Sequence, residues 1–171
     1  EKPEQLGLDQ AITALKPVLE DAEILKIGQN FKYDLAVFSR YGITVAPYDD
    51  TMLLSFCLHA GMHGHGMDEL SERFLSHTPI AFKEVCGTGK SQISFDRVEL
   101  DKATRYAAED ADVTLRLWKL FKPLLVKQKV TRVYERIERA LPAVISRMEL
   151  EGVKVDRDAL SRMSSDFSQR M

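Results

Sequence analysis

Two pairs of residues in this chain have the types and spacing that chemistry at a charged oxygen would need. Asn30 and Asp34 stand four apart, and so do Tyr106 and Asp110; on a helix that spacing puts both side chains on one face. Carboxylates brought together from separate elements suit hard divalent cations, which take oxygen ligands and keep bound water. Two such ions about 3.5–4 Å apart generate a hydroxide and stabilise the leaving oxygen of an in-line phosphoryl displacement. A tyrosine beside them can orient the attacking water. Taken singly, each pair is a common pattern that more often means a cap and a surface charge. Glu109 and Asp112 flank Asp110 but project elsewhere around the helix, so both are expected to be solvated or structural.

Other motifs carry less. His59, His63, His65 and His77 include one close pair, His63-Gly64-His65, with no fitting cysteine or third histidine at zinc-ligand spacing. The GTGK at 87–90 lacks the leading glycine of a phosphate loop and reads as an ordinary flexible loop.

The elements that must position these residues begin with a helical stripe, Ile12, Leu15, Val18 and Leu19, interrupted by Pro17. EILKIG (23–28) is short and apolar and reads as a buried strand closed by Gly28. Asn30 is a good N-cap for a helix running to about Tyr41, which Gly42 stops. Ile43–Val45 reads as a second strand, and Asp49 or Asp50 caps the helix that follows, ending at Gly61. Strand, helix, strand, helix implies an α/β fold with a parallel sheet covered by helices. A short helix is expected over Asp68–Ser76, then a surface loop to Phe95. A long helix from Val98 to about Leu125 should bury Leu100, Ala103, Ala107, Ala111, Leu115 and Trp118. A second, from Val130 to Glu151, should bury Ile137, Leu141, Val144, Ile145 and Met148 before a last helix opened by Asp156 or Asp158. The domain boundary falls near 128–130.

With 171 residues the chain has room for one domain and a small appendage. Net charge is −2, which excludes a polycation but not a nucleic-acid partner, since the charge is uneven. Eight basic residues between Arg116 and Arg139 face only Glu135 and Glu138; they read as a solvated helical face. Cys57 and Cys86 are far apart in the chain and read as small hydrophobes of a reducing compartment. No apolar run is long enough to span a membrane, and the first residues are not a signal peptide.

Four blocks resemble, in order, the proofreading exonuclease domain of bacterial family A DNA polymerases: KIGQNFKYDLAVFSRYGI (26–43), YDDTMLLSFCL (48–58), MDELSERFL (67–75) and YAAEDADVTLRLW (106–118). LPAVISRMELEGVKVD (141–156) is similar to the segment with which the polymerase region of that family opens. The resemblance covers nearly the whole chain. It implies a ribonuclease H-like exonuclease fold lacking its first strands over residues 1–128, then helices over 129–171 that begin the polymerase region. It also implies removal of nucleoside monophosphates from a single-stranded or frayed DNA 3′ end with two Mg²⁺ or Mn²⁺ ions, in the bacterial cytoplasm at the nucleoid. On the matching positions, Asp34 and Asp110 would be metal ligands, Tyr106 would position the nucleophilic water and Asn30 would support the site. Phe82 aligns with an aromatic that contacts the terminal nucleotide; an anchor for the 61–97 segment is the alternative.

The first motif of that family, an Asp-x-Glu on the opening strand, should precede the first helix, and none occurs in residues 1–22. The chain also starts at Glu1 without an initiator Met and reads as part of something longer. The expectation is therefore a parent that proofreads and a piece that alone binds metal weakly and hydrolyses DNA slowly or not at all. Its sheet should carry an exposed or abnormally covered edge. A ribonuclease D-like exoribonuclease shares the catalytic plan, but the EGVKVD tail argues against it. A non-catalytic DNA-binding spacer is the reading from another class, opposed by the retained Asp34, Tyr106 and Asp110.

Overall fold

The computed structural model of the chain describes residues 5–170. Helix α1 (Leu8–Glu20) leads into β1 (Lys26–Gly28), α2 (Lys32–Ser39) makes the crossover, and β2 (Tyr48–Asp50) runs parallel to β1. Lys26 pairs with Tyr48 and Gly28 with Asp50. Then come α3 (Thr51–His59), α4 (Met67–Leu75), α5 (Phe82–Cys86), single 3-10 turns at Gly89–Ser91 and Phe95–Arg97, and the long α6 (Leu100–Lys127). After α6 follow α7 (Thr131–Arg136), a 3-10 turn (Glu138–Ala140), α8 (Leu141–Glu151) and α9 (Arg157–Arg170). The result is a mixed α/β protein, mostly helical, with a small parallel sheet.

Several local expectations need correction. Ile43–Val45 is not a strand. Ile43 and Val45 do turn inward, 3% and 4% exposed, onto Phe31, Leu35 and Tyr48. Their backbone, however, is bonded to helices: Ile43 N–H to the Phe38 carbonyl and Thr44 N–H to Glu20. The second strand is therefore 48–50, immediately before the helix that Asp50 caps by accepting from Met52 N–H. In β1 only the last three residues of the predicted strand pair, and Ile24 and Leu25 remain 41% and 37% exposed.

Asn30 does not cap α2. Its φ of +55° lies in the left-handed region, which asparagine tolerates better than most residues. The free amides at this helix start are taken instead by Asp50, whose two carboxylate oxygens accept from Asn30 N–H at 3.0 Å and Phe31 N–H at 2.8 Å. Gly28, just upstream, leaves room for the Phe31 ring, which a Cβ would strike.

The long helix forms as expected, but its buried stripe is a different one. Val113, Leu117, Phe121 and Leu125 pack with Leu54, Leu58 and Leu70 of α3 and α4. Leu100 and Leu115 of the predicted face are 47% and 39% exposed, and no residue of α6 before Val113 is fully buried. The alanines that marked the predicted face are too small to direct a helix; the large side chains of the second half do so. The helix expected over 130–151 is broken into α7, a 3-10 turn and α8, because Pro142 lacks the N–H that would continue it. Its intended apolar side is not core: Ile137, Val144 and Met148 are 53%, 53% and 64% exposed. The α1 stripe is likewise open at Leu15 and Val18.

The basic run is not simply a solvated face. Asp49 is wholly buried and accepts from Trp118 Nε1 (2.8 Å), Lys122 Nζ (3.2 Å) and the Tyr134 hydroxyl (2.9 Å), with Arg139 Nε at 3.4 Å. Lys122 and Arg139 also hold Glu135, so two members of the run close a charge network at the core. Donated hydrogen bonds outweigh burial and hold the Asp49 carboxyl below its ordinary range. The network fastens α6 and α7 to β2. Of the two cysteines, both unpaired, Cys86 is buried and Cys57 half-buried, its thiol pushed up to about 11 by burial.

Candidate functional site

The parallel sheet ends at Gly28 and Asp50, and the chain turns there into α2 and α3. Open α/β sheets place their ligands at these carboxyl ends. Asp34 sits in the first turn of α2, one turn beyond β1, and α6 passes beside β1 carrying Asp110. The two carboxylates line a single cleft of about 280 Å³ with Ile27, Gly28, Gln29, Met67, Ala111 and Thr114. Gln29 is itself fixed, donating to the His65 carbonyl and meeting the Thr51 hydroxyl.

The electrostatics of the cleft follow from burial. Desolvation pushes the Asp34 carboxyl up, its own amide at the helix start opposes this, and Asp50 adds to the rise. Desolvation also raises Asp110; hydrogen bonding by Tyr106 opposes it, and Asp68 and Glu109 add to it. Tyr106 is pushed up to about 12 by burial and by Asp110, so its phenol keeps its proton and stays a donor at neutral pH. Asp110 Oδ1 is buried with no hydrogen-bond partner. An orphaned anionic oxygen beside a second carboxylate is an arrangement that a cation would relieve.

The fit to a divalent ion is partial. Mg²⁺ is commonly held by one or two carboxylates together with water and substrate phosphate. Asp34 and Asp110 supply that minimum, while among the described residues no three His, Cys, Asp or Glu side chains gather as a ligand set. The chain's one Asp-x-Glu, Asp21-Ala22-Glu23, lies between α1 and β1. Both acids are exposed there, and Asp21 Oδ1 is turned onto the Glu23 N–H, so neither lines the cleft.

Asn30 is not brought to Asp34. Because it precedes α2 rather than belonging to it, the four-residue spacing does not put the two on one face. It lines a separate groove of about 220 Å³ with Lys32, Asp50, Pro142 and Ile145. Phe82, on α5, is 47% exposed and joins Tyr106, their ring centroids 6.1 Å apart. Phe95 completes that group, and nothing in the sequence pattern marked it. Glu109 is structural: it meets His77 Nε2 at 2.8 Å and accepts from Ile80 N–H at 2.6 Å, tying the segment before α5 to α6. Asp112 is 64% exposed and pairs with Arg116.

The histidine spacing misled in one respect. The turn after α3 folds back so that His59 and His63, and His63 and His65, stand with ring centroids 5.2 Å apart. Burial and mutual repulsion lower His59 and His65.

Residues 3–126 match a family model of the DNA polymerase A type described as 3′-5′ exonuclease. The chain is 53% identical over 165 residues to DNA polymerase I of Rhizobium leguminosarum, covering 96% of this chain and 16% of that protein. It is 40% identical over 173 residues to DNA polymerase I of Pseudomonas aeruginosa, covering 99% of this chain and 19% of that protein. A DNA polymerase of Escherichia phage T5 is 24% identical over 178 residues, 94% of this chain and 21% of that protein. The chain thus spans less than a quarter of the length of each of these relatives.

Proposed function

The chain belongs to the 3′-5′ exonuclease family of A-type DNA polymerases, and from that membership we propose that its cleft takes the 3′-terminal phosphodiester of single-stranded or frayed DNA. The observation that carries this is the convergence of Asp34 and Asp110, from α2 and α6, on one cleft where Asp110 Oδ1 has no partner. Residues 1–128 are read as a ribonuclease H-like domain without its first strands, and 129–171 as the helices that open a polymerase region. The setting is the bacterial cytoplasm, at the nucleoid. Among the described residues no helix is long and apolar enough to cross a membrane.

Asp34 and Asp110 would hold Mg²⁺ or Mn²⁺. Bound there, the ions supply a lowered water pKa and charge neutralisation at the phosphate. The protein does the rest. Tyr106, protonated at neutral pH, directs the attacking water by donating or accepting at its hydroxyl. The raised carboxyls of Asp34 and Asp110 gain from any cation that enters, so binding sharpens as pH rises through their folded values. Asp50 holds the start of α2 and thereby the direction of Asp34. Phe82 offers an exposed ring to a base. Asn30 supports the α2 start rather than the cleft.

With two carboxylates rather than four, this chain by itself should release nucleotides slowly or not at all. The test compares release of nucleoside monophosphates from 3′-labelled single-stranded DNA by this chain and by a version extended upstream through an Asp-x-Glu strand. Robust release should come only from the longer version; equal, robust rates would overturn the dependence on the additional acids. Within the longer version, Asp110→Ala should remove several kcal/mol of transition-state stabilisation, on the order of 100-fold or more in rate. Asp112→Ala should leave the rate within about twofold, as expected of an exposed pair. Equal losses would mean that the wrong acid has been assigned, and faster release from RNA would favour the exoribonuclease reading.

A further inference from the structure

Three histidines meet where α3 turns toward α4, and none of them lines the cleft of Asp34 and Asp110. His59 is the last residue of α3, and Gly61, at a φ of +75°, reverses the chain behind it so that His63 returns beside His59. Aromatic rings pack around the pair: Phe74 stacks on His59 at 5.0 Å and meets His63 at 5.4 Å, and Phe121 stands 5.9 Å from His59. Inside this packing two ring nitrogens, His59 Nδ1 and His63 Nε2, are buried with no hydrogen-bond partner among the described residues. Buried polar atoms are nearly always paired, so two orphans on neighbouring side chains point to a ligand that both can share.

The tautomer of His63 is fixed. Its Nδ1 lies 2.6 Å from the Gly64 carbonyl, which can only accept, so in the neutral ring Nδ1 carries the proton and Nε2 the lone pair. Gly64 is itself held: its N–H donates to Glu69 Oε1 at 3.2 Å, and Arg73 braces that carboxylate at 3.4 Å. A histidine that donates one ring N–H to a backbone carbonyl and presents its other nitrogen bare is arranged as a metal ligand is. The spacing agrees, because a tetrahedral zinc lies about 2 Å from each ligating nitrogen and about 3 Å from each ring centre, which sets two such rings about 5 Å apart. His59 and His63 stand 5.2 Å apart between centroids. Burial, with His63 and His65 nearby, lowers His59 and keeps it in the uncharged form that ligates. His65, whose Nδ1 meets the Ser55 hydroxyl at 2.9 Å, leaves no buried nitrogen unpaired.

We propose that His59 Nδ1 and His63 Nε2 together hold one borderline-soft divalent cation of the zinc type, with water in its remaining positions. Imidazole nitrogen suits Zn²⁺ and leaves hard cations such as Mg²⁺ to oxygen ligands, so this site and the cleft select different ions. Two protein ligands are fewer than the three of a catalytic zinc, and both histidines are only half-buried as whole residues, so water reaches the open side. The ion acts as a clasp that ties the turn at 60–66 to the end of α3. That turn also carries the His65 carbonyl, to which Gln29 of the cleft donates at 2.9 Å.

The test is calorimetric titration of the full chain with ZnCl₂ in excess Mg²⁺, which occupies oxygen sites, together with melting curves. The wild type should take up one ion, and zinc at about 100 times its dissociation constant should raise the melting temperature by roughly 5–10 °C. His59→Phe and His63→Phe keep a ring in the aromatic packing but have no ligand atom. In chelator each should melt as the wild type does, yet each should bind zinc at least about 10-fold more weakly, since even an outer partner of a metal ligand is worth that much. His77→Gln, outside the cluster, should stay within about twofold of the wild type. Nitrogen-15 spectra of the wild type need no variant: zinc should shift the ring nitrogens of His59 and His63 and leave those of His77 in place. Absence of zinc uptake, unchanged affinity in either phenylalanine variant, weakened binding in His77→Gln, or shifts confined to His65 or His77 would each overturn the site.

Discussion

Removal of one oxygen atom, in Tyr134→Phe, tests the link between the buried charge network and the cleft. Tyr134 is fully buried, and its hydroxyl donates to Asp49 Oδ1 at 2.9 Å while accepting from the Asp50 N–H at 3.1 Å. Phenylalanine keeps the ring and leaves no cavity, so only these two bonds are lost. Asp49 retains Trp118, Lys122 and Arg139. The Asp50 amide retains nothing. Losing a hydrogen bond to a charged group costs about 1.5–3 kcal/mol and stranding a buried N–H about 1–3 kcal/mol. The two overlap, because Asp49 is still well satisfied, so the expected loss is about 2–4 kcal/mol. For a chain of this size that lowers the melting temperature by roughly 5–15 °C.

Urea unfolding should show a lower midpoint with an unchanged slope. Asp49 is held below its ordinary value of 3.8, so its share of stability is complete above that value and drains away as pH falls through the lower folded value. The mutational loss should accordingly be constant from about pH 5 to 8. The disturbance should also reach α2, since the Asp50 carboxylate that holds Asn30 and Phe31 sits on the stranded backbone; amide exchange at those two residues should quicken. A loss below about 0.5 kcal/mol, or unchanged exchange there, would refute the idea that the network steadies the cleft.

Two further outcomes follow from the same geometry. Asp110 is raised above its ordinary value of 3.8, so its charge opposes folding increasingly as pH rises through that value and fully above the folded one. Asp110→Asn should therefore raise the melting temperature by about 1–3 °C at neutral pH, an effect that fades in acid, while weakening Mn²⁺ binding; lower stability at neutral pH would refute the desolvation argument. Glu109→Ala should free His77 and the Ile80 amide at a cost of about 1–3 kcal/mol, speeding amide exchange over residues 77–87 but not over Val113–Leu125. Uniform acceleration would show that Glu109 supports the whole core rather than the segment that carries Phe82.

How much of this was readable in the linear chain depends on the range of the interaction. The helices at 51–59, 67–75 and 100–127 were marked by local signals, and so was the Tyr106–Asp110 pair, whose spacing needs only an unbroken helix. The asparagine at 30 failed that reasoning because helicity begins two residues later, after a left-handed turn fastened by a carboxylate twenty positions away. Likewise, a buried aspartate at 49 and basic residues at 122 and 139 announce nothing separately; their types are those of a solvated surface. Phe95 looked like part of a loop until folding set its ring against two others.

Sequence alone therefore determined the main helices from residue 51 to 127, the family membership and which acids to propose for the site, since those rest on residue identity and near-neighbour periodicity. Tertiary structure alone decided which faces are buried, that Asp34 and Asp110 share one cleft, and which carboxylate steadies the first of them. Those outcomes turn on contacts between residues far apart in the chain, and the desolvation that sets their charges exists only once the distant partners have met.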